Sequence, residues 1–248
     1  MLLLYHLCRP LCNALRPDLG LSRRQMMRYN GKNRQTGDVR VQRYFAWFGL
    51  KGSLVLTILL SLLAGVLAAI HPSQARLLCF AAMAMSSAGD IFLMHFECIE
   101  TRFRNFFVIG AAFFMLAHVL YALCYGMLAA AAGAAGVNAG TWAALCIAGV
   151  CFLYFTAVCA RRRDFSSYPL ALTYLLIISL NCASVFTYSA AAFASKPAAL
   201  TAAAGAASFL LSDLIIGLGL LADDHRLDHL IWWFYPVGQI LLIVMAGG

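Results

Sequence analysis

The chain has 248 residues, of which 63% are hydrophobic and only 11% charged, and its mean hydropathy is +0.82. That balance excludes a soluble globular domain, in which about a quarter of the residues carry charge. The net charge of +8 implies no nucleic acid partner, because basic residues beside a membrane serve topology and contact with anionic lipid.

In chain order, residues 2–8 are apolar, but the run stops at Arg9 and Pro10. It is too short to span a bilayer, lacks a small-residue cleavage site, and is expected to be an interfacial segment or a remnant. Ser22 to Thr36 is rich in Arg, Gln and Asn. It has too little apolar surface to pack and is expected to be mobile. Residues 1–47 therefore form a basic N-terminal segment on the cytosolic side, and 48–248 one transmembrane helical domain.

Seven apolar runs follow, near 48–70, 76–97, 106–131, 141–160, 169–190, 198–221 and 229–246. Each is long enough to cross a hydrocarbon core, and a spanning segment must satisfy its own backbone hydrogen bonds. The period-2 alternation of a membrane barrel is missing. The expected fold is an all-α, polytopic bundle of seven transmembrane helices, joined by short connections such as the Gly/Ala turn at 132–140 and the charged loop from Ala222 to Asp228. No fixed-period repeat suggests inverted transporter halves.

Threading the runs alternately puts fifteen Lys and Arg on one side: nine before residue 48, then Arg102, Arg104, Arg161, Arg162, Arg163 and Arg226. The other side receives only Arg76 and Lys196. The positive-inside rule then places the N-terminus in the cytosol. A bacterial cytoplasmic membrane is the expected location. The nine cysteines show no CxxC pair or zinc-ribbon spacing, and most are expected to pack as small apolar residues.

Most acidic residues fall in aqueous segments or at span ends, but Asp90 and Asp213 lie well inside apolar helices. A carboxyl at such depth costs roughly 2.5–3.5 kcal/mol on insertion scales and normally marks a cavity, a partner or a function. The bland alternative is a helix–helix hydrogen bond. The second and sixth spans run in the same direction, so the two aspartates should share a level about two turns from the cytosolic end. His118 and Tyr121, three apart, share a face of the third span. Tyr235 and Gln239, four apart, share a face of the seventh. Lys51 stands near the start of the first span, where it can snorkel to phosphate headgroups or reach into a cavity.

Tyr174 and Asn181 share a face of the fifth span, with packing as their expected role. Ser86, Ser87 and Ser212 can bond to their own helix backbones. His225 and His229 have metal-ligand spacing but no HExxH context, and they read as a solvated helix end.

Gly89-Asp90-Ile91-Phe92-Leu93-Met94, Ile109-Gly110 through Phe114 to His118 and Tyr121, Phe209 through Ser212-Asp213, and Tyr235 through Gln239 together resemble the membrane-bound lysoplasmalogenases of the YhhN-like family. The resemblance runs over about residues 44–246 and includes Lys51 in Phe48-Gly49-Leu50-Lys51. It departs in the first 47 residues, where the family usually has an eighth membrane helix. Gly52 stands where the family has a proline, and Gly238 where many members have a polar residue.

The resemblance implies hydrolysis of the vinyl ether bond at position 1 of a lysoplasmalogen, with no cofactor and no metal. The products are a fatty aldehyde and glycerophosphoethanolamine or glycerophosphocholine. Two carboxyls suit this chemistry: one protonates the alkene carbon, and the other steadies the oxocarbenium ion and activates water. Residue types leave open which aspartate does which. His118 and Tyr121 would orient water or an aspartate, Tyr235 and Gln239 would bind glycerol oxygens, and Lys51 would attract the phosphate. The expected partners are the lysophospholipid substrate and surrounding membrane lipid. Rival classes are a metal-dependent membrane amide or ester hydrolase, which is short of buried histidines, and a proton-coupled transporter relaying protons through Asp90 and Asp213.

Overall fold

A computed structural model describes the backbone of residues 39–93, 105–134, 136–222 and 224–247, and side chains within these ranges from residue 55 onward. Among the described residues seven α-helices follow one another: α1 (Val39–Ile70), α2 (Gln74–Leu93), α3 (Phe106–Ala131), α4 (Ala139–Arg162), α5 (Tyr168–Ala192), α6 (Leu200–Ala222) and α7 (Asp228–Met245). A one-turn 3₁₀ helix, Pro197–Ala199, leads into α6. Helices α2 to α7, with that turn counted into α6, are long and apolar enough to cross a membrane, and Val55–Ile70 of α1 is a shorter apolar stretch. Among the described residues there is no strand. The fold is an all-helical transmembrane bundle, and each of the seven predicted spans coincides with one helix.

The first helix differs at its start. It begins at Val39 rather than near 48 and carries Arg40, Gln42 and Arg43 on its opening turns. Hydropathy marks only the part of a helix that sits in lipid, and nothing between Val39 and Trp47 is a helix-breaking Gly or Pro. The expectations for residues 2–8, for Ser22 to Thr36 and for the end of the second span at 94–97 lie outside the described residues.

Local chemistry sets the other ends. Asn138 caps α4 by accepting from the Gly140 and Thr141 amides, and Thr141 answers in a capping box. The Asn138 amide also donates to the Thr187 carbonyl of α5 at 3.0 Å, which pins α4 to its neighbour. Arg163, in the left-handed conformation at φ 55°, ends α4.

Packing closes six helices into a ring. α1 lies on α2, α2 on α3, α3 on α5, α5 on α6, α6 on α7, and α7 returns to α1. α4 stands outside, against α5 and the flank of α6. The ring is polar inside and apolar outside. Thr57, Ser86, His118, Asn181, Ser212 and Gln239 are buried, whereas Trp233, Leu153 and Val150 are each more than 60% exposed. A soluble protein does the opposite, so the solvent this surface meets is lipid.

A close backbone-to-backbone approach between α6 and α7 helps position the site. A Cβ added at Gly238 would lie 2.8 Å from the Phe209 amide nitrogen and 2.9 Å from the Gly205 carbonyl oxygen. Gly238 is therefore a contact position between α6 and α7. Gly238→Val should push α7 off α6 and lower the melting temperature in detergent by roughly 5–10 °C. Gly149→Ala, with nothing within 4 Å of the added carbon, should keep it or raise it slightly, since Ala favours a helix interior over Gly. Equal melting temperatures for the two variants would contradict this packing account.

Candidate active site

Every helix of the ring sends polar side chains into its interior: Thr57 from α1, Asp90 from α2, His118 and Tyr121 from α3, Tyr174 and Asn181 from α5, Asp213 from α6, Tyr235 and Gln239 from α7. They form two clusters, one around each aspartate.

The first is built on hydroxyls. Tyr235 donates to Asp90 Oδ2 at 2.7 Å, and the Thr57 hydroxyl donates to the same oxygen at 2.6 Å. Ser87 lies 3.0 Å from the Thr57 oxygen and 2.5 Å from that of Ser61. Thr57 has a single proton, and the shorter contact to a carboxylate claims it. Behind this cluster Tyr121 donates to Gln239 Oε1 at 2.5 Å, and Gln239 Nε2 donates to Ser86 Oγ at 3.3 Å. Gly89, just before Asp90, lets α3 close in: a Cβ there would stand 2.6 Å from the Phe114 ring.

The second is built on an imidazole. His118 Nε2 lies 3.1 Å from Asp213 Oδ2, and the Tyr174 phenol donates to that oxygen, also at 3.1 Å. On the far side of the ring, Asn181 Nδ2 lies 3.1 Å from His118 Nδ1. An amide N–H there requires Nδ1 to accept, so in the neutral ring the proton sits on Nε2 and points at Asp213. His118 is fully buried, and the Asp213 side chain is only 6% exposed.

Aromatic rings join the clusters. The Tyr235 ring meets Phe209 edge-on at 5.5 Å between centroids, and Phe209 lies against His118 at 4.6 Å. The path from Asp90 to Asp213 therefore runs through Tyr235, Phe209 and His118. Beside Asp213 a largely apolar groove opens between α3, α5 and α6, with Phe155 of α4 as part of its wall.

The structure thus brings Asp90, Asp213, His118, Tyr121, Tyr235 and Gln239 into one ring interior. Lys51 lies in α1, six residues or about 9 Å of helix before Thr57; its side chain lies outside the described residues. Tyr174 and Asn181, expected to pack, bond to Asp213 and His118. Ser212 bonds its own helix through the Phe209 carbonyl at 2.7 Å, as expected, whereas Ser87 reaches across to the Thr57 carbonyl of α1 at 3.2 Å. Thr57 was not singled out in the sequence. Its signal is faint: with Ser61 it places two hydroxyls four residues apart on one helix face.

The interfacial loop stands apart. His225 Nδ1 lies 3.0 Å from Asp228, and the Arg226 guanidinium donates to both Asp224 oxygens at 2.9 and 2.6 Å. Those bonds hold the Asp224 carboxyl down at about 2, so the pair persists until the pH falls to that range. Among the described residues no three His, Cys, Asp or Glu side chains converge in a metal-ligand group.

No curated protein and no solved structure matches the chain. The model of the YhhN family, however, matches residues 49–246, a range that holds both aspartates and every partner described above, and the chain belongs to that family.

Proposed function

We propose that this protein is a membrane lysoplasmalogenase, hydrolysing the vinyl ether at position 1 of a lysoplasmalogen to a fatty aldehyde and a glycerophospho-alcohol. The observation that carries the reading is the inequality of two carboxyls in one ring of helices. Asp213 borders an apolar groove and is backed by an imidazole, whereas Asp90 sits among hydroxyls.

That inequality suits the two ends of the scissile group. Vinyl ether hydrolysis begins with a proton delivered to the second alkenyl carbon, on the tail side. Asp213, beside the groove, gives that proton; the alkene π pair forms the new C–H bond, and an oxocarbenium ion results. The His118 N–H and the Tyr174 O–H already point at Asp213 Oδ2, where negative charge then develops, so little reorganisation is needed. A water oxygen adds to the first alkenyl carbon, and Asp90 takes the water's proton. The hemiacetal then collapses. Its hydroxyl proton returns to Asp213, the C–O bond to glycerol breaks, and Asp90 protonates the departing glycerol oxygen. Both aspartates finish as they began.

Tyr235 and Thr57 hold Asp90, while Tyr121 and Gln239 supply the polar wall beside the glycerol. Lys51, nearer the end at which α1 begins, attracts the phosphate. With that end in the cytosol, substrate enters from the cytosolic leaflet.

Purified protein given 1-alkenyl lysophospholipid should release aldehyde and glycerophospho-alcohol in equal amounts, and leave 1-acyl lysophospholipid intact. Fatty acid from the ester substrate without aldehyde would indicate an ester hydrolase instead. Proton-driven solute flux in proteoliposomes without lipid turnover would indicate a transporter. Tyr235→Phe, which removes one hydrogen bond to a charged group, should lower kcat roughly 10- to 100-fold with little change in KM. An unchanged kcat would remove Tyr235 from the site.

A further inference from the structure

The groove beside Asp213 takes in about 650 Å³ of space between the helices, its open mouth and the solvent in it included. Its walls are Leu, Ile, Phe and Ala side chains from α2 to α6, and among the described residues Asp213 and the Tyr174 hydroxyl are the only polar side-chain groups on them. Along α6 the lining runs from Leu210 to Leu220, about 15 Å of helix axis. It is therefore a slot that follows α6 for about three turns, with its polar groups part-way along. A sugar or a polar headgroup would leave most of its hydrogen-bonding capacity unmet there, at a cost for each buried group. A linear hydrocarbon with one polar end meets the slot's chemistry. Another cavity, lined by Ala129, Ala134, Thr141 and Thr187 among others, lies at the opposite end of the bundle, away from Asp213.

One contact limits the slot. Phe155 is the only α4 residue in the lining, and its ring lies against α6 at Gly217, where an added Cβ would come within 2.9 Å of Phe155 Cζ. Gly217 follows Asp213 by four residues and so lies one turn further along the same face. The ring is buried, 6% exposed, and closes the flank of the slot only because Gly217 has no side chain to hold it off.

We infer that this slot is the binding site for a single unbranched hydrocarbon tail, and that Phe155 seated on Gly217 sets how much tail it accepts. The inference rests on the proposed lysolipid hydrolysis, since that reading brings the tail to Asp213. Phe155 is then a specificity-determining residue, acting through slot dimensions and not through the chemistry. Removing its ring lengthens or widens the slot; a side chain at position 217 drives the ring into it.

The test uses binding, so that it is independent of turnover. Saturated 1-alkyl lysophospholipids of increasing chain length, which lack the alkene, are titrated onto the full chain in nanodiscs. Occupancy in excess of that of empty nanodiscs should rise with chain length until the slot is full and then level off. Phe155→Ala should move that plateau to longer chains, Gly217→Ala to shorter ones, and aldehyde release from the matching alkenyl series should shift in parallel. Leu220→Phe, which narrows the slot without touching the Phe155 contact, should also shorten the preferred chain and guards against a misfolded Gly217 variant. Plateaus that stay where they are in all three folded variants overturn the inference. Chain-length-dependent binding that moves with the variants, but with no aldehyde from the alkenyl series, supports the slot and overturns the hydrolase reading.

Discussion

Asp213→Asn should lower kcat/KM for vinyl ether cleavage by about 10⁴, and Asp90→Asn by about 10²–10³, the range over which general acids and bases act. The difference follows from their places. An asparagine at 213 keeps an oxygen to accept from His118 and Tyr174, so the helices stay joined, but it has no acidic proton to give to carbon. Carbon protonation creates the cation, and no later step can proceed without it. An asparagine at 90 still accepts from Thr57 and Tyr235 and still presents an oxygen dipole to the cation, while water must add without a base. The double variant should be no slower than Asp213→Asn alone, because residues that act as one unit are strongly non-additive. Aldehyde release by purified variants that keep the wild-type melting temperature is the measurement. Near-normal turnover by Asp213→Asn would defeat the acid assignment, and a double variant hundreds of times slower than either single one would show the carboxyls acting independently.

The helices were legible because lipid leaves a plain mark on sequence: a run of about twenty apolar residues has little choice but to be a spanning helix. The two aspartates were legible for the same reason, since a carboxyl in such a run is conspicuous. Their partners were less so. His118, Tyr121, Tyr235 and Gln239 announced themselves by depth and by shared faces, but spacing within one helix cannot say which helix it faces. Tyr174 and Asn181 share a face just as well and were expected only to pack. Their bonds exist because α5, not α4, sits beside α3 and α6 in the ring. The exclusion of α4 from the ring leaves no signal in hydropathy, for its mean apolar character resembles that of its neighbours. Thr57 was missed because one hydroxyl can satisfy itself on its own helix, so its presence in an apolar run carries no alarm.

Asn181 should be as consequential as the catalytic groups it never touches. Its amide nitrogen holds His118 Nδ1 at 3.1 Å, and its amide oxygen is buried with no protein partner. Burying half of an amide unsatisfied is costly, and the bond to His118 is the side-chain interaction that offsets it. That bond sets the tautomer: with Nδ1 accepting, Nε2 carries its proton toward Asp213, steadying the carboxylate left after proton delivery. Asn181→Asp reverses this. A carboxylate at 181 accepts from Nδ1–H, and Nε2 of the neutral ring then presents a lone pair to Asp213. The acidic proton of Asp213 is drawn to the imidazole instead of to carbon. In a serine protease the comparable loss of tautomer control costs about 10⁴ in kcat. Asn181→Asp should approach that figure, and Asn181→Leu, which frees the ring without reversing it, should cost about 10- to 100-fold. KM should hold in both, since neither alters the groove. ¹⁵N shifts of the His118 ring report the tautomer directly: Nε2–H in the native chain, Nδ1–H in Asn181→Asp. A native ring protonated at Nδ1, or an Asn181→Asp variant with unchanged kcat, would show that Asn181 merely packs.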